Sequence, residues 1–164
     1  MQLSDQSRVW IYLSSREFDD DEVKNLNLRI ANFCREWSAH GANLAAQGEV
    51  LHHRFIVLMV DETRAGASGC SIDSSVHFIQ SIEREFNTQL FDRMLVPLKD
   101  ESKVKALSLN EVKQMLQDGM LTDESLVFNT LVQTKEQLDR QFIIPIKESW
   151  LSRFIPQAVV NTDK

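Results

Sequence analysis

The chain has 164 residues, 43% apolar and 26% charged, an ordinary globular composition and enough length to bury roughly two thirds of the unfolded surface. Its net charge of −6 and pI near 5.2 argue against broad binding to nucleic acid or to anionic membrane. No apolar run approaches the roughly 20 residues of a membrane span. Met1-Gln2-Leu3-Ser4-Asp5 lacks the basic and apolar regions of a signal peptide. The two cysteines, Cys34 and Cys70, are too few for a disulfide framework. The expectation is a cytoplasmic protein with its thiols reduced.

Arg8 to Leu13 is β-branched, aromatic and almost continuously apolar, which reads as a buried strand. Asp19 then caps a helix, with Glu22 three residues on and acids crowding the first turn, where the macrodipole favours them. Val23, Leu26, Ile30, Phe33 and Trp37 form one stripe, and His40-Gly41 stops the helix. Residues 43–47 read as a connector. Glu49 to His53 is either a strand of its own or the lead-in to the central run Arg54–Val60, whose unbroken apolar character suits a strand covered on both faces. After a small-residue loop comes a second helix, with Ile72, Val76, Ile79, Ile82 and Phe86 on its core face.

Met94–Leu98 reads as a strand that Pro97 places at an edge or a bulge, with Val104–Leu107 pairing back on it. Ser108 caps a short helix, Leu109 to Gln117, ended by Gly119. A strand over Ser125–Val132, a short helix over Thr134–Arg140, an extended Phe142–Ile146 and a closing turn over Lys147–Phe154 complete the core. The fold class is α+β or α/β: a single domain over residues 1–155, with helices packed on a mixed sheet, and a tail over 156–164 that has little to bury. If Glu49–His53 is a separate strand, the first six elements run β-α-β-β-α-β, the ferredoxin-like order, followed by a C-terminal extension.

Chemistry concentrates between the central strand and the second helix. Cys70 stands just before a helix that Ser71 is expected to cap, where the positive end of the dipole favours thiolate; Asp73 opposes this with its own charge. Asp61 and Glu62 end the strand, and with Asp73 they make three carboxylates suited to acid–base work or a divalent cation. Plain helix capping also accounts for Asp73. Ser68, Gly69, Ser71, Ser74 and Ser75 offer hydroxyls and backbone N–H groups to an anion, with His40 or His77 as neighbours. No P-loop is present, because the loop lacks the lysine. Strand alternation would point His52 and His53 to opposite faces, so they cannot share one metal.

The segments Arg8–Tyr12, Trp37–Gly41, Arg54–Leu58, Ser68–Asp73 and Val127–Val132 resemble a small family of uncharacterised bacterial proteins. Its most distinctive feature is the Gly69-Cys70-Ser71-Ile72-Asp73 motif, and the similarity spans nearly the whole chain. Members often carry the label "ABC transporter ATPase". The resemblance implies no established activity and no catalytic residues to carry over. Only Val57-Leu58-Met59-Val60-Asp61-Glu62 is similar to a piece of such an ATPase, the Walker B strand, so the chain is not expected to be one.

Two function classes follow. The first is a module that binds a small polar or anionic ligand, or a protein partner, at Ser68–Ser75. The second is an enzyme with Cys70 as nucleophile, or with Asp61, Glu62 and Asp73 as acid–base or metal residues. The residues point to no particular cofactor.

Overall fold

The computed structural model describes residues 2–39, 45–62 and 69–157, the side chains of residues 38, 39 and 69–71 excepted. Its elements are β1 (Arg8–Leu13), α1 (Asp20–Ala39), β2 (Ala45–Leu51), β3 (Phe55–Asp61), α2 (Gly69–Phe86), β4 (Leu95–Asp100), β5 (Lys103–Ser108), α3 (Leu109–Gln117), β6 (Leu126–Phe128), α4 (Lys135–Gln141) and β7 (Ile143–Pro145). Two short 3₁₀ turns follow, Ile146–Glu148 and Trp150–Phe154. The fold is α+β. The strands form two antiparallel sheets, β1-β3-β2 and β5-β4-β6-β7, where one mixed sheet was expected. Packing divides the chain into two compact units, one of Met1–Arg93 with Asn129–Phe142, the other of Met94–Phe128 with Ile143–Lys164.

In the first unit β3 runs between β1 and β2 and antiparallel to both. This is the strand order that the β-α-β-β portion of a ferredoxin-like fold requires. The fourth strand departs from that order, because β4 belongs to the other sheet. The free side of β1 is taken instead by residues 133 and 134: the Val9 N–H donates to the Gln133 carbonyl at 2.9 Å, and Arg8 bridges Thr134.

Six consecutive residues of β3, Phe55 to Val60, are buried. Ile56 and Leu58 pack with Leu26 and Ile30 of α1 and with Ile79 and Ile82 of α2, all fully buried. Phe55, on the opposite face, meets the Phe142 ring at 5.0 Å. The expected stripes on both helices are therefore the faces laid on the sheet, although Val23, Phe33, Ile72, Val76 and Phe86 are only half-buried. Phe33 joins the two helices by stacking on Phe78, centroids 4.2 Å apart.

β2 is longer than expected and starts earlier, because Ala45, Ala46 and Gln47 are strand and not connector. Its small residues fit beneath α1. A Cβ at Gly48 would come within 2.7 Å of Ile30 Cγ2 and of the Val57 carbonyl, so only glycine lets the helix lie this close. β2 ends at Leu51, and His52 and His53 form the turn to β3 with φ of +53° and +56°. Those are left-handed values that side chains disfavour.

The second unit packs Val96, Leu98, Val112, Leu116, Val127, Ile146 and Leu151 into its own core. Ser108 caps α3 and forms a reciprocal box with Glu111, and Gly119 takes the left-handed conformation just past its end. Pro97 lies in an interior strand instead of at an edge. β6 meets β4 only at Leu98↔Val127, so the sheet on that side draws little on the donor that proline lacks.

Candidate functional site

The candidate site lies where β3 ends and α2 begins. α2 starts at Gly69, three residues earlier than the apolar stripe, which opens at Ile72, implied. Ser71 is consequently the third residue of the helix and not its cap, and Cys70 stands inside the first turn and not before it. His40 and Ser68 lie outside the described residues. Asp73 and Ser74 are exposed on the second turn of the helix.

Ser75 is the exception in the hydroxyl cluster. It is buried, and its Oγ donates to the Ile72 carbonyl at 2.6 Å. Its one hydroxyl proton is used within α2 and is not offered to a ligand. Burial pushes the Tyr12 phenol above its usual range, against the opposing pull of Ser75 and of the positive Arg93. Sequence reasoning missed this setting of Tyr12 because Tyr12, Ser75 and Arg93 lie far apart in the sequence.

The strand-end carboxylates are engaged locally. Asp61 Oδ2 accepts from the Ser4 N–H at 3.3 Å, holding the N-terminal segment. Glu62 pairs with Arg8 at 3.8 Å, with both side chains well exposed, a geometry of small energetic weight. Among the described residues, no three His, Cys, Asp or Glu side chains gather as a metal site. His77 is exposed on α2.

The two cysteines differ. Cys34 is 4% exposed, within the α1 core, and burial pushes its thiol up to about 11. Cys70 occupies the second position of α2, where unsatisfied backbone N–H groups collect.

The opposite end of the same sheet is heavily braced. Ser14 and Thr88 hydroxyls meet at 2.6 Å in a buried contact. The Arg54 guanidinium donates to the Ser14 carbonyl at 3.0 Å and to the Ser15 carbonyl at 2.9 Å. His53 Nε2 lies 2.8 Å from Asp20 Oδ1, and the Phe18 N–H donates to the His53 carbonyl at 2.8 Å. Because His52 and His53 are turn residues, the alternation argument about their rings does not apply to them.

No helix among the described residues is long and apolar enough to cross a membrane. Comparison with protein-family models, with curated proteins and with solved structures returns no match for this chain.

Proposed function

We propose that the protein is a binding module that takes a small polar or anionic ligand, or a partner's carboxylate, at the start of α2. One observation carries this reading. The first turn of α2 contains no acidic residue, whereas that of α1 contains Asp20, Asp21 and Glu22. The positive end of α2 is thus left without its own counter-charge, in a strand–loop–helix arrangement that suits an anion. Ser68, Gly69, Ser71 and Ser74 would supply donors, with His40, distant in sequence, as the proposed neighbour. The reading includes a cytoplasmic location and kinship with the bacterial family that carries the Gly69–Asp73 motif, and it excludes ABC-type ATP hydrolysis. Thermal melts with inorganic phosphate as probe test it. Wild type should gain melting temperature with phosphate, and a Ser71→Ala/Ser74→Ala double variant should lose that gain while keeping its phosphate-free melting point. No phosphate-dependent gain in wild type would reject the anion site.

A second reading, an enzyme with Cys70 as nucleophile, is favoured by the place of Cys70 in the first turn of an 18-residue helix. The same reading has an alternative in Asp61, Glu62 and Asp73 as acid–base residues, since the charge of Asp73 would oppose a Cys70 thiolate. Iodoacetamide at neutral pH separates the two readings. The enzyme reading expects Cys70 to alkylate faster than an unstructured thiol. The binding reading expects an ordinary rate, with Cys34 slow in both cases because it is buried.

A further inference from the structure

We infer that the outer edge of β2 accepts an extended segment of a partner protein as a fourth strand, one carrying an acidic residue between basic neighbours. β2 is the last strand of its sheet. In an antiparallel pair, successive residues turn their backbone N–H and C=O alternately toward and away from the partner strand. The Val50 N–H points away from β3, since it donates to Asn27 Oδ1 of α1 at 2.9 Å. By the same alternation the backbone groups of Gly48 and Ala46 point outward as well. Among the described residues Asn27 closes the ladder at Val50, and Gly48 and Ala46 present their outward donors and acceptors beside it.

Beside that open ladder runs a groove of about 510 Å³, lined by Ala31, Cys34 and Arg35 of α1, by Ala46 to Glu49 of β2, and by Met59. Ala31 and Ala46 line it with small side chains. Unpaired strand groups flanked by a groove are met by an extended backbone, which supplies hydrogen bonds at the spacing that β2 presents.

Charge selects the occupant. Arg35 is exposed on the α1 wall, and Glu49 is exposed and in register with Val57, on the sheet face turned from α1. An added strand turns alternate side chains to these two faces. An acidic residue on the α1 side therefore meets Arg35, and basic neighbours on the other side meet Glu49. A second copy of β2 fits poorly: it would bring Ala46, Gly48 and Val50 toward Arg35, and Gln47 and Glu49 toward Glu49.

The test is fluorescence anisotropy with a labelled peptide, Val-Thr-Lys-Glu-Lys-Thr-Val, and its charge-swapped counterpart with lysine at the centre and glutamate on either side. Wild type should bind the first peptide and discriminate against the second. Arg35→Glu should weaken the first at least tenfold and improve binding of the second. Ala46→Pro, which removes one outward N–H at an edge position that tolerates proline, should weaken both. Slowed hydrogen exchange at the Gly48 amide on peptide binding provides a readout in the unaltered protein. Absence of peptide binding, or equal binding by all three proteins, would overturn the inference. A dimer in sedimentation that Ala46→Pro dissolves would also overturn it, by identifying a second copy as the occupant.

Discussion

The starts of α1 and α2 meet the same physical problem with different residues. Both helices bury an isoleucine-centred face against β3, yet each begins with backbone N–H groups that the helix itself cannot satisfy. At α1 the chain's own side chains take up two of these groups. The Glu22 N–H donates to Asp19 Oδ1 at 2.8 Å, the Asp19 N–H donates back to Glu22 Oε1 at 3.1 Å, and Arg16 grips the same carboxylate at 2.9 and 2.5 Å. Arg16 also reaches the Phe86 carbonyl at the end of α2, so the start of one helix closes the end of the other. The start of α2 has no acid in its first turn. A helix start neutralised by its own side chains has little left for a ligand, and the proposed anion site at α2 depends on that contrast.

The largest effect tests what the helices share. Ile30 and Ile79 are fully buried in one cluster. Truncating either to alanine should cost about 2–5 kcal/mol in denaturant unfolding. If Ile79→Ala cost far less than Ile30→Ala, α2 would be the looser of the two helices, and the contrast between their starts would extend to their cores.

What the sequence made legible follows the range of the interactions. The capping boxes of α1 and α3 are contained within four residues, and the helix stripes and β3 declare themselves by periodicity and apolar run. β2 was half missed because the reason for Gly48 lies in Ile30 and Val57, not in its neighbours. The His52-His53 turn lacks the Asn-Gly chemistry such turns favour. Its conformation is held by Phe18 and Asp20, which are distant in sequence. At the candidate site, the strand end and helix start were foreseen, but the apolar stripe opens at Ile72 while the helix opens at Gly69. That offset of one turn displaced the expected cap from its place. The division of the strands between two sheets is topological, and no local pattern encodes it.

A smaller effect separates the two helix starts directly. Asp19→Ala should destabilise the protein by about 1 kcal/mol, the usual cost of a lost N-cap. Ser71→Ala should change stability little, because position 71 is inside the helix, where alanine is the better former. Equal losses at both positions, measured by urea unfolding, would place the cap of α2 at Ser71 after all and erase the distinction.

The smallest effect is a pH dependence confined to α1. Arg16, hydrogen-bonded to Glu22, is the main cause that holds the Glu22 carboxyl down at about 2, against a usual 4.5. A carboxyl lowered in the folded state binds its proton more weakly there than in the unfolded chain, so acid favours unfolding. The stabilisation is complete above about 4.5 and is lost as the pH falls toward 2. Glu22→Gln keeps the shape and much of the hydrogen bonding but cannot titrate. Its stability should lie below that of wild type at pH 6, and the two curves should converge as the pH falls through this window. Parallel curves would mean that the Arg16 contact adds nothing beyond an exposed surface pair. α1 would then owe its closed start to the Asp19 cap alone, and the contrast with α2 would rest on a single residue.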